Sequence, residues 1–131
     1  MMPTILLVDD DTTFRRLIKD FLCLSITSLC VKEAGDGEEA LQKIEVCPPD
    51  IIFMDIRLPG ENGLVLTQKI KKKYPDVEID ILTSYDLPEY QEVATKNGAK
   101  HFLLKNTIIP MGIINIIQDW IGRHEKNQRS C

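Results

Sequence analysis

Four short apolar runs along the chain each stop at a polar residue. Ile5-Leu6-Leu7-Val8 ends at Asp9-Asp10-Asp11, Ile51-Ile52-Phe53-Met54 at Asp55, Ile81-Leu82 at Thr83-Ser84, and Phe102-Leu103-Leu104 at Lys105. Runs this short, apolar without alternation, read as strands covered on both faces. Helical spacing returns between them. Thr13 to Leu24 recurs at Phe14, Leu17, Ile18, Phe21 and Leu22, with Asp11 or Thr12 as N-cap. Leu29 to Ala34 is a further strand, turned by Gly35-Asp36-Gly37. Glu38 to Val46 is a helix burying Ala40, Leu41 and Ile44, and it stops at Pro48-Pro49 because proline cannot continue it.

The second half repeats the alternation. Pro59, Gly60, Asn62 and Gly63 crowd breakers into the loop from Arg57 to Gly63. Leu64 to Tyr74 reads as a helix whose basic end, Lys69 and Lys71 to Lys73, is a solvated face complementing the helix dipole. Glu78 to Leu82 is a strand in which Asp80 breaks the apolar pattern, read as exposed near the strand's start. Pro88 to Asn97 is a helix stopped by Gly98, His101 to Leu104 a strand, and Thr107 to His124 the last helix. Residues 1–124 read as one domain and 125–131 as a polar tail or the start of a linker. The last helix carries more apolar residues than one core-facing stripe needs. Either it is deeply covered, or its second face meets another chain or an output domain.

Five strands alternating with five helices imply an α/β fold, a parallel sheet with helices on both faces. In such a sheet every strand's carboxyl end lies on one edge, and ligands bind outside it. The polar endings should therefore converge. A lone Asp55 would read first as a cap, but Asp9 and Asp10 end the neighbouring strand. Carboxylates packed together repel unless a cation neutralises them, and Mg²⁺ is suited by hard oxygen ligands. Asp55 itself is then a ligand, a nucleophile or a base. Lys105 offers a positive charge to a phosphoryl group in transit, or else simply reaches water from a strand end. Thr83 offers a hydroxyl to a phosphoryl oxygen, or is an ordinary strand or capping residue.

Composition narrows the classes. At 131 residues, 44% hydrophobic and 27% charged, the chain fits one ordinary globular domain. A formal charge of −4 argues against direct nucleic-acid binding. No apolar run approaches the ~20 residues of a membrane span, and no charged leader precedes the first strand, so a cytoplasmic location is expected. Cys23, Cys30, Cys47 and Cys131 show no metal-ligand spacing and read as reduced, mostly small core residues.

Four segments carry a family resemblance: LLVDDD (Leu6 to Asp11), IIFMDIRLPGENG (Ile51 to Gly63), ILTS (Ile81 to Ser84) and NGAKHFLLK (Asn97 to Lys105). Over about Thr4 to Ile121 the chain resembles the receiver domain of two-component response regulators, the CheY-like superfamily. The resemblance implies a flavodoxin-like doubly wound (βα)5 fold with strand order 2-1-3-4-5. It implies that Asp55 accepts a phosphoryl group from the phosphohistidine of a sensor histidine kinase or phosphotransfer protein, in a Mg²⁺-dependent step that Mn²⁺ can also support. The implied metal ligands are Asp9, Asp10, Asp55 and the main-chain carbonyl of Arg57. Lys105 and Thr83 would contact the phosphoryl group, and Phe102 would be the switch aromatic. The readout surface would be the helix Pro88 to Asn97, the strand holding Phe102 and the last helix, a surface that can also pair two copies of the chain.

Some positions depart from the pattern. Asn106 stands where many members have proline, and FLLKN looks more like receivers that precede a helix-turn-helix DNA-binding output domain. Phe102 replaces the commoner Tyr. Arg57 and Tyr85, each two residues beyond a site residue, put bulk where it can hinder water attacking an acyl phosphate. Two rival readings use the same residues. Asp9 and Asp11 of DDDTT satisfy the DxDxT signature resembling haloacid-dehalogenase-type phosphatases, with Asp9 as nucleophile and Asp11 as general acid. That reading leaves Asp55 without a role and lacks the later acidic pair. The other rival is a phosphorylation-independent, receiver-like protein-binding module.

Overall fold

The apolar runs form the middle of a parallel sheet. In the computed structural model, which describes residues 2–106 and 110–129, β1 (Thr4–Val8) lies between β2 (Cys30–Ala34) and β3 (Ile51–Met54). The loop after β3 holds a small antiparallel ladder of β4 (Arg57–Leu58) and β5 (Glu61–Asn62), turned through Pro59-Gly60. Gly60 has φ +77°, a conformation that glycine adopts without steric cost. β6 (Glu78–Thr83) and β7 (His101–Leu104) complete a five-stranded sheet ordered β2-β1-β3-β6-β7, parallel throughout. With the small ladder set aside, this is the 2-1-3-4-5 order.

Five helices cover the sheet: α1 (Thr12–Ser25), α2 (Gly37–Val46), α3 (Gly63–Lys73), α4 (Pro88–Lys96) and α5 (Met111–Arg129). Strand alternation divides the core between the two faces. Leu6, Ile52, Met54, Ile79 and Ile81 pack with Ile44, Leu66, Ile70 and Ala94 of α2, α3 and α4. Ile5, Leu7, Ile51, Phe53 and Leu82 pack with Ile18 and Leu22 of α1 and with Ile113, Ile117 and Trp120 of α5. No helix among the described residues is long and apolar enough to cross a membrane.

Several sequence expectations need correction. Asp80 is not exposed: it is fully buried and bonded to His101 across β6 and β7. Cys23 and Cys47 are exposed and Cys30 half-buried, because the buried stripe of α1 runs through Ile18 and Leu22 and Cys47 is the residue that caps α2. Leu17 and Leu41 lie largely on the solvent side of their helices. Lys71 is not merely solvated, since its ammonium donates to the carbonyls of Pro75 (2.7 Å) and Val77 (2.8 Å) and closes the turn after α3.

The last helix is the deeply covered one: Ile113, Ile114, Ile116, Ile117 and Trp120 are all buried, and Met111 is exposed. Its expected start, Thr107 to Ile109, lies outside the described residues, as does Cys131. At the other end it continues past His124 to Arg129. His124 stacks on Trp120 with ring centroids 3.7 Å apart, and Arg123 pairs with Asp119 one turn back at 3.1 Å, which extends the helical stretch.

Candidate functional site

Asp9, Asp55 and Lys105 each sit one rung beyond a strand, and Thr83 is the last residue of β6. The N–H of Asp9 donates to the Ala34 carbonyl (3.0 Å), that of Asp55 to the Val8 carbonyl (2.9 Å), and that of Lys105 to the Thr83 carbonyl (2.9 Å). The parallel ladder thus continues past the last strand residues and fixes the backbone from which these side chains project. A rigid scaffold of this kind holds functional groups more tightly than a free loop does. The sequence-predicted acids meet there, with one carboxylate oxygen from each of Asp9, Asp10 and Asp55 all within 4.8 Å of one another. Asp9 and Asp55 are buried, and Asp10 is exposed at the rim.

Lys105 joins the two buried acids. Its Nζ lies 2.5 Å from Asp9 Oδ2 and 3.3 Å from Asp55 Oδ2. Burial works against the ammonium, but the hydrogen bond to Asp9 and the charges of Asp55 and Asp9 outweigh it, so its pKa stands above the ordinary lysine value. Asp9 is raised above the usual carboxylate value by burial, with Asp55 adding to the rise. Hydrogen bonds from Lys105 and from the Asp11 N–H (2.9 Å) work the other way. Asp55 Oδ1 accepts from the N–H of Ile56 at 2.8 Å, so its two oxygens differ: one is held by the backbone, the other faces the ammonium.

Thr83 is fully buried, and its hydroxyl oxygen accepts a long 3.4 Å bond from the Tyr85 N–H. Bonds that long are weak and easily exchanged. Phe102 is partly buried and packs against the core on the α4 side with Tyr90 and Ala99. Arg57 and Tyr85 meet directly, the guanidinium carbon 3.9 Å from the centre of the ring. Asp11 is occupied elsewhere: its Oδ1 accepts from the Phe14 N–H at 3.0 Å and caps α1.

Three contributors escaped the sequence reading. Phe14 of α1 lies under the Lys105 ammonium, 4.4 Å from ring centre to Nζ, a favourable cation–π distance. Arg15 donates to the Asp9 carbonyl and pairs with Glu33 at 3.1 Å, tying α1 and β2 to the acidic turn. Gly63 brings its backbone against Asp55: a Cβ built there would stand 1.9 Å from the Asp55 carbonyl oxygen, and its N–H donates to the Ile56 carbonyl at 2.6 Å. The glycine was legible as a breaker, but its partner across the loop was not.

A five-stranded doubly wound sheet with an acidic, lysine-bridged cluster at its carboxyl edge is the architecture of a signal receiver. Residues 5–116 match the family model for the response regulator receiver domain, and the chain belongs to that family, the receiver domain of two-component response regulators. It is 41% identical to the oxygen regulatory protein NreC of Staphylococcus carnosus over 103 residues, covering 78% of this chain and 48% of that protein. It is 36% identical to the transcriptional regulatory protein DegU of Brevibacillus brevis over 101 residues, covering 77% and 43%. The chain thus spans about half the length of these curated relatives. A crystal structure of a CheY-like response regulator receiver domain protein from Methanospirillum hungatei superposes with a TM-score of 0.87 at 27% identity, covering 97% of this chain and 99% of that one.

Proposed function

We propose that Asp55 is the phosphoacceptor of a two-component switch and that the chain is not an enzyme acting on a separate substrate. The observation that carries this reading is the Lys105 ammonium, held within reach of both Asp9 and Asp55 at the edge of the sheet. A carboxylate oxygen of Asp55 attacks the phosphorus of a phosphohistidine on a sensor histidine kinase or phosphotransfer protein. The P–O bond forms as the P–N bond breaks, and the imidazole leaves with the electron pair. Lys105 exchanges its carboxylate partners for the new phosphoryl oxygens, which keeps the ammonium compensated.

The all-oxygen donor set of Asp9, Asp10 and Asp55 fits a hard divalent ion, Mg²⁺ or Mn²⁺, and the main-chain carbonyl of Arg57 would be a further ligand. When bound, such an ion would neutralise the charge of acids and phosphoryl group together. The Thr83 hydroxyl, only weakly engaged by Tyr85, turns to donate to a phosphoryl oxygen. Phe102 then moves into the space beside it, and the surface of α4, β7 and α5 changes. The equilibrium moves only as far as these contacts differ between the two states. The stacked Arg57 and Tyr85 shield the acyl phosphate from water and lengthen its life. The altered surface serves a homodimer or an output domain in a longer cytoplasmic protein. The name of the transcriptional regulatory protein DegU favours gene regulation as the output, and the FLLKN ending of the last strand favours helix-turn-helix DNA binding as its form.

Intact mass after incubation with a small phosphodonor tests the reading. One phosphoryl adduct is expected, dependent on Mg²⁺ and absent in Asp55→Asn. Turnover of the donor without an adduct, lost on changing Asp9, would favour the phosphatase reading. No reaction at all would leave a binding module.

A further inference from the structure

The opposite edge of the sheet holds a second cluster that the phosphoacceptor reading does not use. β6 opens Glu78-Ile79-Asp80, and strand alternation sends Glu78 and Asp80 to the same face as Leu82, beneath α5. Two carboxylates therefore stand where apolar side chains would complete the layer. Asp80 is 0% exposed and Glu78 only 9%. His101, the partner of Asp80 across β6 and β7, places Nδ1 2.8 Å from Asp80 Oδ1. One oxygen from each acid and one nitrogen of the His101 ring all lie within 4.8 Å of one another.

The charges around this cluster leave it incomplete. Glu78 Oε1 receives Arg123 of α5 at 3.1 Å and Lys100, ahead of β7, at 3.6 Å, while Asp119 of α5 holds the other side of Arg123. Glu78 Oε2 and Asp80 Oδ2 are buried with no hydrogen-bond partner. Buried carboxylate oxygens are ordinarily matched by donors or by a cation. The side chain of His101 is 38% exposed, which leaves a way in from solvent.

We propose that Glu78, Asp80 and His101 form a second cation site, for a borderline divalent transition ion of the Zn²⁺ type. Two carboxylates and an imidazole supply the three protein ligands of an open zinc-type site, and the nitrogen donor selects against Mg²⁺. Arg123 and Lys100 hold the remaining Glu78 oxygen and so fix the direction of its partner, as outer groups do around metal ligands. The cation supplies the positive partner that Glu78 Oε2 and Asp80 Oδ2 lack, and His101 faces it with a ring nitrogen. Three residue steps along β6 lead from Asp80 to Thr83, about 10 Å of strand, so the site stands apart from Asp55 and does not rest on its role. Its occupant joins β6 and β7 directly beneath α5.

The chain has two histidines, so their ring signals in NMR make a simple reporter. Zn²⁺ is titrated into the full chain with Mg²⁺ held at saturation. The His101 ring signals are expected to shift and saturate at one equivalent, with those of His124 largely unmoved. In His101→Gln the Zn²⁺ affinity at this site should fall at least tenfold, while phosphoryl loading of Asp55 is unchanged. His101 signals indifferent to Zn²⁺, or equal Zn²⁺ binding by the variant, would overturn the proposal and assign any bound Zn²⁺ to the cysteines or to the Asp9 edge. The wild-type titration decides the question even if the variant folds poorly.

Discussion

At the residue scale, the decisive features are close approaches between positions distant in sequence. Gly63 shows this most clearly. Any side chain there collides with the Asp55 carbonyl, so the loop after β3 keeps its path only because the residue is glycine. Gly63→Ala should cost about 1–3 kcal/mol in urea unfolding, the range of overpacking. A loss below 0.5 kcal/mol would show that the loop relaxes freely. Asp80 gives the second prediction. Burial first, and Glu78 next, push its pKa up from 3.8 to about 9. The folded chain then keeps a proton that the unfolded chain releases above pH 3.8. The stabilisation is complete below that pH and is lost as pH rises toward 9. With chelator present, stability should fall between pH 5 and 8, by at most ~1.4 kcal/mol per unit. Asp80→Asn should flatten that slope, and an unchanged slope in the variant would place the titration elsewhere. The identity of Asp80 was plain in the sequence, but its burial was not. Period-2 alternation tells which face a strand residue takes, whereas depth depends on α5, which covers that face from about 40 residues further along the chain.

At the element scale, the strands and helices follow from their apolar spacing, and the differences lie at their ends and outer faces. Helical spacing points Leu17 and Leu41 inward and residue type points Cys23 inward, yet the buried stripe takes only about one side of each helix, so all three fall outside it. The ladder of β4 and β5 was hidden because a two-residue strand has no periodicity to read. Caps were legible because their chemistry is local. Asp11 caps α1 through the Phe14 N–H, and Asp11→Ala should cost about 1 kcal/mol of stability. That variant also separates two chemistries. As a cap, Asp11 can be replaced by Asn with phosphoryl loading of Asp55 preserved, whereas a general acid could not be replaced this way. Measuring adduct formation in Asp11→Asn beside its unfolding midpoint decides between them.

At the scale of the whole molecule, one sheet carries a charged cluster at each edge. The carboxyl edge gathers Asp9, Asp10, Asp55, Thr83 and Lys105, all foreseeable because parallel strands end on the same side. The opposite edge gathers Glu78, Asp80 and His101, unforeseen because the pairing register of β6 and β7 brings them together across 21 residues of chain. Phe14, Arg15 and Gly63 support the first edge as neighbours made by packing. The central claim is that phosphoryl transfer ends on Asp55 and nowhere else. It is tested most directly by trapping the phosphorylated chain with borohydride, which reduces an acyl phosphate to an alcohol, and mapping the altered residue in peptides. The account predicts homoserine at position 55 alone, with Asp9 and Asp10 intact. Reduction at Asp9, or an adduct on a side chain that borohydride leaves untouched, would contradict it.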